Sequence, residues 1–301
     1  MIVPTLNAEP WMPALLDALT QVRRRTRRVL FIDSGSGDGT VALARAAGHD
    51  VYSIAREEFG HGRTRNLGAR LCADSEYLVY LTQDALPVGD DWLERLLDPF
   101  ADERVGLVYG RQLARAGAGF SECYAREFNY PEVPERTELG DLARRGVKAV
   151  FCSNSFAAYR SEALRAVGGF PERLPLGEDM AVALRLLQHG YVRVYQPAAR
   201  AVHSHAYTVA QEFRRYFDIG TLMTMDDGLE RAGAAASGEG RRFALGELRQ
   251  ALARRNPWLV LQVALRTLAK AGGYALGRRY RALPRGWCEH LSMHRSFWEA
   301  S

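Results

Sequence analysis

Residues 27–40 read RRVLFIDSGSGDGT. The apolar run Val29–Ile32 stops at Asp33, a string of turn residues follows, and Thr40 opens a helical pattern running to about Ala47. A short apolar run bounded by Gly and Ser reads as a buried strand feeding a helix. The same rhythm extends outward in both directions. Met1–Pro4 reads as the end of a strand, with a helix at Pro13–Val22. Strands are predicted at His49–Ile54, Tyr77–Thr82 and Val105–Tyr109, and helices at Thr64–Ala73 and Asp91–Phe100. Strands alternating with helices predict an α/β fold with a mostly parallel central sheet flanked by helices. Ligands of such sheets bind at the carboxyl ends of the strands. The residues just past each strand are therefore the candidates for chemistry.

Beyond Gly117 the pattern loosens into an irregular segment up to Gly146. Order returns at Val147–Tyr159, with helices predicted near Ser161–Val167, Met180–Gly190 and Thr208–Gly220 and a strand at Val192–Tyr195. The Ala/Gly/Ser-rich stretch Gly228–Gly240 reads as a linker. This divides the chain into a body (1–227), a linker (228–240) and a C-terminal tail (241–301). The 301 residues are 47% hydrophobic and 25% charged, a globular composition that excludes a disordered or fibrous chain. No apolar run approaches the roughly 20 residues of a membrane span, and no secretory signal is read at the start. The four cysteines are scattered, which argues against a zinc ribbon or disulfide framework and fits a reducing cytoplasm.

Several strand ends carry polar residues suited to an anionic ligand. PTLNAE (residues 4–9) follows the first strand and DSGSGDGT (33–40) the second; the second also reads as a tight turn with a helix cap. EFGHGRTRN (58–66) sets Arg63 and Arg65 at a helix start, where a diphosphate would be welcome. Thr82-Gln83-Asp84 ends the strand Tyr77–Leu81. A carboxylate there is costly unless paired or ligating a cation, and Mg²⁺ typically takes one or two carboxylates plus phosphates. Gly177-Glu178-Asp179 opens a helix and offers a general base. In His203-Ser204-His205, one imidazole is expected to face the site and the other solvent.

In this order and spacing, PTLNAE, FIDSGSGDGT, QDA, GED and a His 24 residues after Asp179 resemble family 2 glycosyltransferases of the GT-A fold. The segments FGHGRTRNLGA, YLTQDALP, FNYP, FCSNSFAAYR and HSHAYTVAQEFRRYFDIG look more narrowly like bacterial rhamnosyltransferases of O-antigen-type surface polysaccharide. The resemblance implies a GT-A fold and an inverting transfer of L-rhamnose from dTDP-L-rhamnose. Thr5, Asn7 and Glu9 would line the nucleotide pocket, and Asp33 would hold the pyrimidine N–H. Arg63 and Arg65 would lie by the diphosphate, and Gln83 would help bind the nucleotide sugar. Asp84 and His203 would hold a divalent cation, Mg²⁺ or Mn²⁺. Asp179 would be the base, with Glu178 beside it orienting the acceptor. The departure is at Thr82-Gln83-Asp84, where the family usually has Asp-x-Asp. Rival readings are a UDP- or GDP-sugar donor, and a non-catalytic scaffold that binds nucleotide sugars.

The net charge of +5 is uneven. Residues 241–301 hold 12 Arg/Lys against 3 Asp/Glu, and the first 240 hold 28 against 32. Trp258, Leu261, Leu265 and Leu268 form one helical stripe within Pro257–Leu283, with a break expected at Gly272-Gly273. With Arg266, Lys270, Arg278, Arg279 and Arg281, this reads as a basic amphipathic segment lying on a membrane surface. A polyprenol-linked acceptor at the inner face of a bacterial plasma membrane would suit it. Nucleic acid is not expected as a partner, because the tail has no recognisable binding fold.

Overall fold

The computed structural model describes residues 1–20, 22, 26–235 and 238–299. The strands are β1 (Ile2–Thr5), β2 (Leu30–Asp33), β3 (Asp50–Ser53), β4 (Tyr77–Leu81), β5 (Leu86–Val88), β6 (Val105–Leu113), β7 (Glu135–Thr137), β8 (Phe156–Arg160) and β9 (Val192–Val202). They form one sheet in the order β3-β2-β1-β4-β8-β6-β9-β5, with β7 also on β9. The first half is parallel, as the strand–helix rhythm predicts. The second half is mixed: β8 lies antiparallel between β4 and β6, and β5 and β7 pair antiparallel with β9. The short strands β5 and β7 escape a reading based on apolar runs, because each is three residues long and one holds Glu and Arg.

The helices of the body are α1 (Met12–Thr20), α2 (Thr40–Ala46), α3 (His61–Leu71), α4 (Trp92–Leu97), α5 (Phe120–Asn129), α6 (Leu142–Arg145), α7 (Val147–Val150), α8 (Ser161–Ala166), α9 (Glu178–Gln188) and α10 (Val209–Met225). Both faces of the sheet are apolar, so neighbouring residues of one strand enter different cores. Ile2, Ile32, Tyr80 and Tyr159 join one; Val3, Phe31, Leu81 and Ala158 join the other.

The C-terminal extension holds α11 (Asp227–Ala235), α12 (Glu239–Ala253), α13 (Pro257–Gly277), α14 (Arg285–Leu291) and α15 (Arg295–Glu299). The expected linker is thus helical over most of its length; residues 236 and 237 lie outside the described set. Alanine's high helix propensity outweighs the glycines there. The expected break at Gly272-Gly273 is also absent, since α13 runs through it. The glycines serve close packing instead. A Cβ on Gly273 would sit 2.2 Å from the Phe213 carbonyl oxygen, and one on Gly277 2.0 Å from that of Phe217. Gly220 answers from α10, where a Cβ would meet the Tyr274 carbonyl oxygen at 2.3 Å. The two helices therefore touch backbone to backbone.

Candidate active site

The loops after β1 and β2 are laced together. Asn7, at φ +48°, donates its N–H to Ser36 Oγ and accepts the Gly37 N–H on Oδ1 at 2.9 Å. Glu9 accepts the Gly39 N–H at 2.9 Å. Asp33 is buried and accepts four hydrogen bonds, from the Thr5 and Ser36 hydroxyls and the Gly35 and Ser36 N–H groups. Its acceptor positions are thus filled by its own loop and Thr5, which leaves none open for the expected pyrimidine N–H. Gln83 grips Leu6 at both ends, accepting its N–H at 2.8 Å and donating to its carbonyl at 3.1 Å. It braces the β1 loop rather than reaching a nucleotide sugar.

The register of β5 explains the next cluster. Leu86 pairs with Val202, so Asp84, two residues earlier, lands beside His203. His203 Nε2 lies 3.5 Å from Asp84 Oδ1, and His205 Nε2 lies 3.7 Å from Asp84 Oδ2. The three ligand atoms are all within 4.8 Å of one another. His205 was expected to face away. Residues i and i+2 of an extended segment share a side, so that expectation misapplied the alternation, and both rings face Asp84. The doublet His-Ser-His was the sequence signal for both imidazoles.

Residues invisible to sequence reasoning orient His203. Its Nδ1 lies 2.8 Å from Gln112 Oε1, to which Arg126 donates at 2.7 Å. Arginine only donates, so that Gln112 atom is the acceptor. His203 must then carry a proton on Nδ1, which leaves Nε2 as the atom facing Asp84. Burial pushes the Asp84 carboxyl up, but His203, Thr82 and His205 outweigh it and hold the group well below the carboxylate range. Burial and the neighbouring His203 push His205 down to about 4. The hydrogen bond from His203 is the largest of the influences that lower Asp84; one carboxylate and two imidazoles are a donor set that a divalent cation would fit in place of that proton. They open onto a cavity of about 460 Å³ that Trp11, Tyr207 and Gln211 also line.

The second carboxylate group opens α9. Gly177 sits at φ +77°, and a Cβ there would lie 2.3 Å from Leu222, so only glycine makes this turn. Glu178 is buried, ion-paired with Arg65 at 2.9 Å and held by the Asn154 side chain at 3.2 Å. It does not face an acceptor. Arg65 is committed to this pair, not to a diphosphate, whereas Arg63 at the same helix start is exposed. Burial works to raise Glu178, but Arg65 outweighs it and keeps the carboxyl below its ordinary range. Asp179 is half-buried, accepting the Asn154 and Met180 N–H groups at 3.1 and 2.8 Å. Burial, then the charge of Glu178, pushes it up to about 7.

Asp84 and Asp179 are 95 residues apart, yet the sheet brings their loops together. Thr82 donates its N–H to the Ser155 carbonyl, and Asn154 donates its own to Asp179. One end of the sheet thus carries a carboxylate–imidazole triad, suited to a cation, and a carboxyl poised to exchange a proton near neutral pH.

A GT-A sheet with this division of labour defines a glycosyltransferase. The chain belongs to glycosyl transferase family 2, which it matches over residues 1–168. It is 38% identical to the O-antigen chain rhamnosyltransferase RfbN of Salmonella typhimurium strain LT2, over 99% of this chain and 95% of that protein. It is 39% identical to the O-antigen chain rhamnosyltransferase WbaN of Salmonella anatum, with the same coverage. Among solved structures, it resembles the mannosyltransferase PcManGT of Pyrobaculum calidifontis, in complex with GDP-Man and Mn²⁺. The TM-score is 0.59 at 21% identity, covering 99% of this chain and 84% of that one.

Proposed function

We propose that the protein transfers L-rhamnose from dTDP-L-rhamnose to a lipid-linked saccharide in O-antigen-type biosynthesis, with inversion at the anomeric carbon. The observation that carries the catalytic reading is Asp179, a carboxyl raised to about 7 beside the Asp84 triad. The near full-length likeness to two proteins named as O-antigen chain rhamnosyltransferases supports the sugar and the pathway.

Asp84, His203 and His205 would hold Mg²⁺ or Mn²⁺. Bound there, the cation would offset the charge of the departing diphosphate. Asp179 takes the proton of the acceptor hydroxyl as that oxygen attacks C1 from the opposite face. Two backbone N–H groups fix the carboxylate while leaving lone pairs for the incoming proton. Arg65 neutralises Glu178, so that Asp179 is not held protonated across the whole working range.

The exposed stripe of α13 supports a membrane contact at the inner leaflet. Trp258 and Leu268 are 65% and 69% exposed, with Leu261 and Leu265 between them. Arg249, Arg254 and Arg255 are exposed around the start of the stripe. Three of the expected bases are paired instead: Arg266 and Lys270 meet Glu212, and Arg278 meets Glu230, whereas Arg279 and Arg281 stay exposed. Among the described residues no helix is long and apolar enough to cross a membrane.

Calorimetric titration of dTDP, UDP and GDP, with Mg²⁺ and then with chelator, tests the reading. Cation-dependent dTDP binding that is lost in Asp84→Ala supports it. Preference for UDP or GDP would overturn the donor.

A further inference from the structure

The C-terminal segment reaches back to the catalytic carboxylates. Ser292–His294 form a turn between α14 and α15. Asp218, wholly buried on α10, accepts the Met293 N–H at 2.8 Å, and the Ser292 hydroxyl and His294 N–H also face it. Ser292 Oγ accepts the His294 N–H at 2.9 Å. Trp298 of α15 packs on Phe217 and Tyr280 and seals the turn in place. So held, the His294 ring stands edge-on to His61, centroids 4.9 Å apart, with His294 Nδ1 3.4 Å from His61 Nε2.

The donor directions follow from Arg65, which can only donate. Its Nη1 donates to Glu178 Oε1 at 2.9 Å and the His61 carbonyl at 3.1 Å and lies 3.5 Å from His61 Nδ1; a cationic donor group so close favours a lone pair on Nδ1 and the His61 proton on Nε2. The Nε2 proton points at His294 Nδ1, which accepts it. The same Arg65 nitrogen reaches Glu178 at 2.9 Å, next to Asp179. Burial keeps both imidazoles neutral, pushing His61 down and His294 down to about 3.

We propose that His294 is a positioning residue for the catalytic carboxylates: it fixes the His61 ring, which seats the Arg65 guanidinium against Glu178 beside Asp179. The proposal rests on the reading of Asp179 as the base. Asp179 is faced by Glu178 on its own helix, Arg65 of α3, the Asn154 N–H, and Tyr130, Cys152 and Tyr159. Arg215 of α10 faces His61, His294 and Asp218.

The test compares pH profiles of kcat for His294→Ala and His294→Asn, with Asp179→Asn alongside. Alanine removes the acceptor; asparagine restores an oxygen near the place of Nδ1. Arg65 lowers the Asp179 pKa, so a loosened guanidinium lets it rise. His294→Ala is expected to lose about tenfold in kcat, move the acidic limb to higher pH and leave the donor KM unchanged. His294→Asn is expected to recover both rate and limb. Should the alanine variant fold poorly, His294→Leu keeps the bulk without the acceptor and serves in the same comparison. An unmoved limb, or identical behaviour of the variants with and without an acceptor, overturns the proposal. Turnover surviving in Asp179→Asn would instead overturn the base assignment beneath it.

Discussion

Arg65 and Glu178 meet at 2.9 Å, with 7% and 6% of their side chains exposed. Removing one partner strands the other charge in a dry site, which typically costs about 3–5 kcal/mol. Glu178→Gln is expected to lower the urea midpoint accordingly. Because the Glu178 charge raises Asp179, the same variant should move the acidic limb of kcat to lower pH. Arg65→Met should also destabilise but move the limb to higher pH. Parallel shifts in the two variants would contradict this electrostatic account.

Asp179→Asn is expected to cut turnover by about 10²–10⁴-fold with nucleotide affinity intact. Wild-type kcat should rise with pH through about 7, where the base loses its proton. A linkage effect accompanies it. The folded state keeps a proton that the unfolded chain releases near its ordinary value of 3.8, so this contribution to stability is full below that pH and is lost as pH climbs through about 7. Thermal melts of Asp179→Asn across that window should show a shallower decline than wild type.

Gln112→Leu tests the orientation of His203. It removes the acceptor at Nδ1, frees the ring to turn or change tautomer, and is expected to weaken Mn²⁺ binding by about 10–100-fold. Calorimetry with the metal alone reads this directly. Unchanged affinity would mean that His203 needs no such support.

Replacing Trp258, Leu265 and Leu268 together by Ser is expected to abolish flotation with vesicles of anionic lipid while sparing nucleotide binding. With Arg266, Lys270 and Arg278 paired inside, apolar area is the main grip. Wild-type flotation should therefore largely persist in raised salt, which screens exposed charges. Complete release by salt would assign the contact to the exposed arginines, Arg249, Arg254, Arg255, Arg279 and Arg281, instead.

The parallel half of the sheet and the positions of Asp33, Asp84 and Asp179 at element ends were legible, because apolar runs and turn residues report local conformation. The partners of those residues were not. Arg65 reads as a phosphate ligand from its neighbours in sequence, and only the fold reveals that Glu178, 113 positions later, claims it. His205 was misassigned because alternation was misapplied: residues two apart in an extended segment share a side, as His203 and His205 do at Asp84. Gln112 and Arg126 carry no local signature, since their role arises from β6 and α5 meeting behind His203. The bases of α13 look solvent-facing in a helical plot, but Glu212, Glu230 and Glu247 draw them inward across long sequence gaps.

The glycine seam between α10 and α13 bears on where this enzyme can be cut. A chain ended near residue 240 would keep every residue expected to touch the nucleotide sugar. It would also strip the backbone cover from Gly220, Phe213 and Phe217 on α10, and leave Asp218 without the turn it holds. What looks in the sequence like a detachable appendage is packed backbone to backbone on α10, and its last turn reaches His61 of α3, so a cut there would unroof the body rather than trim it.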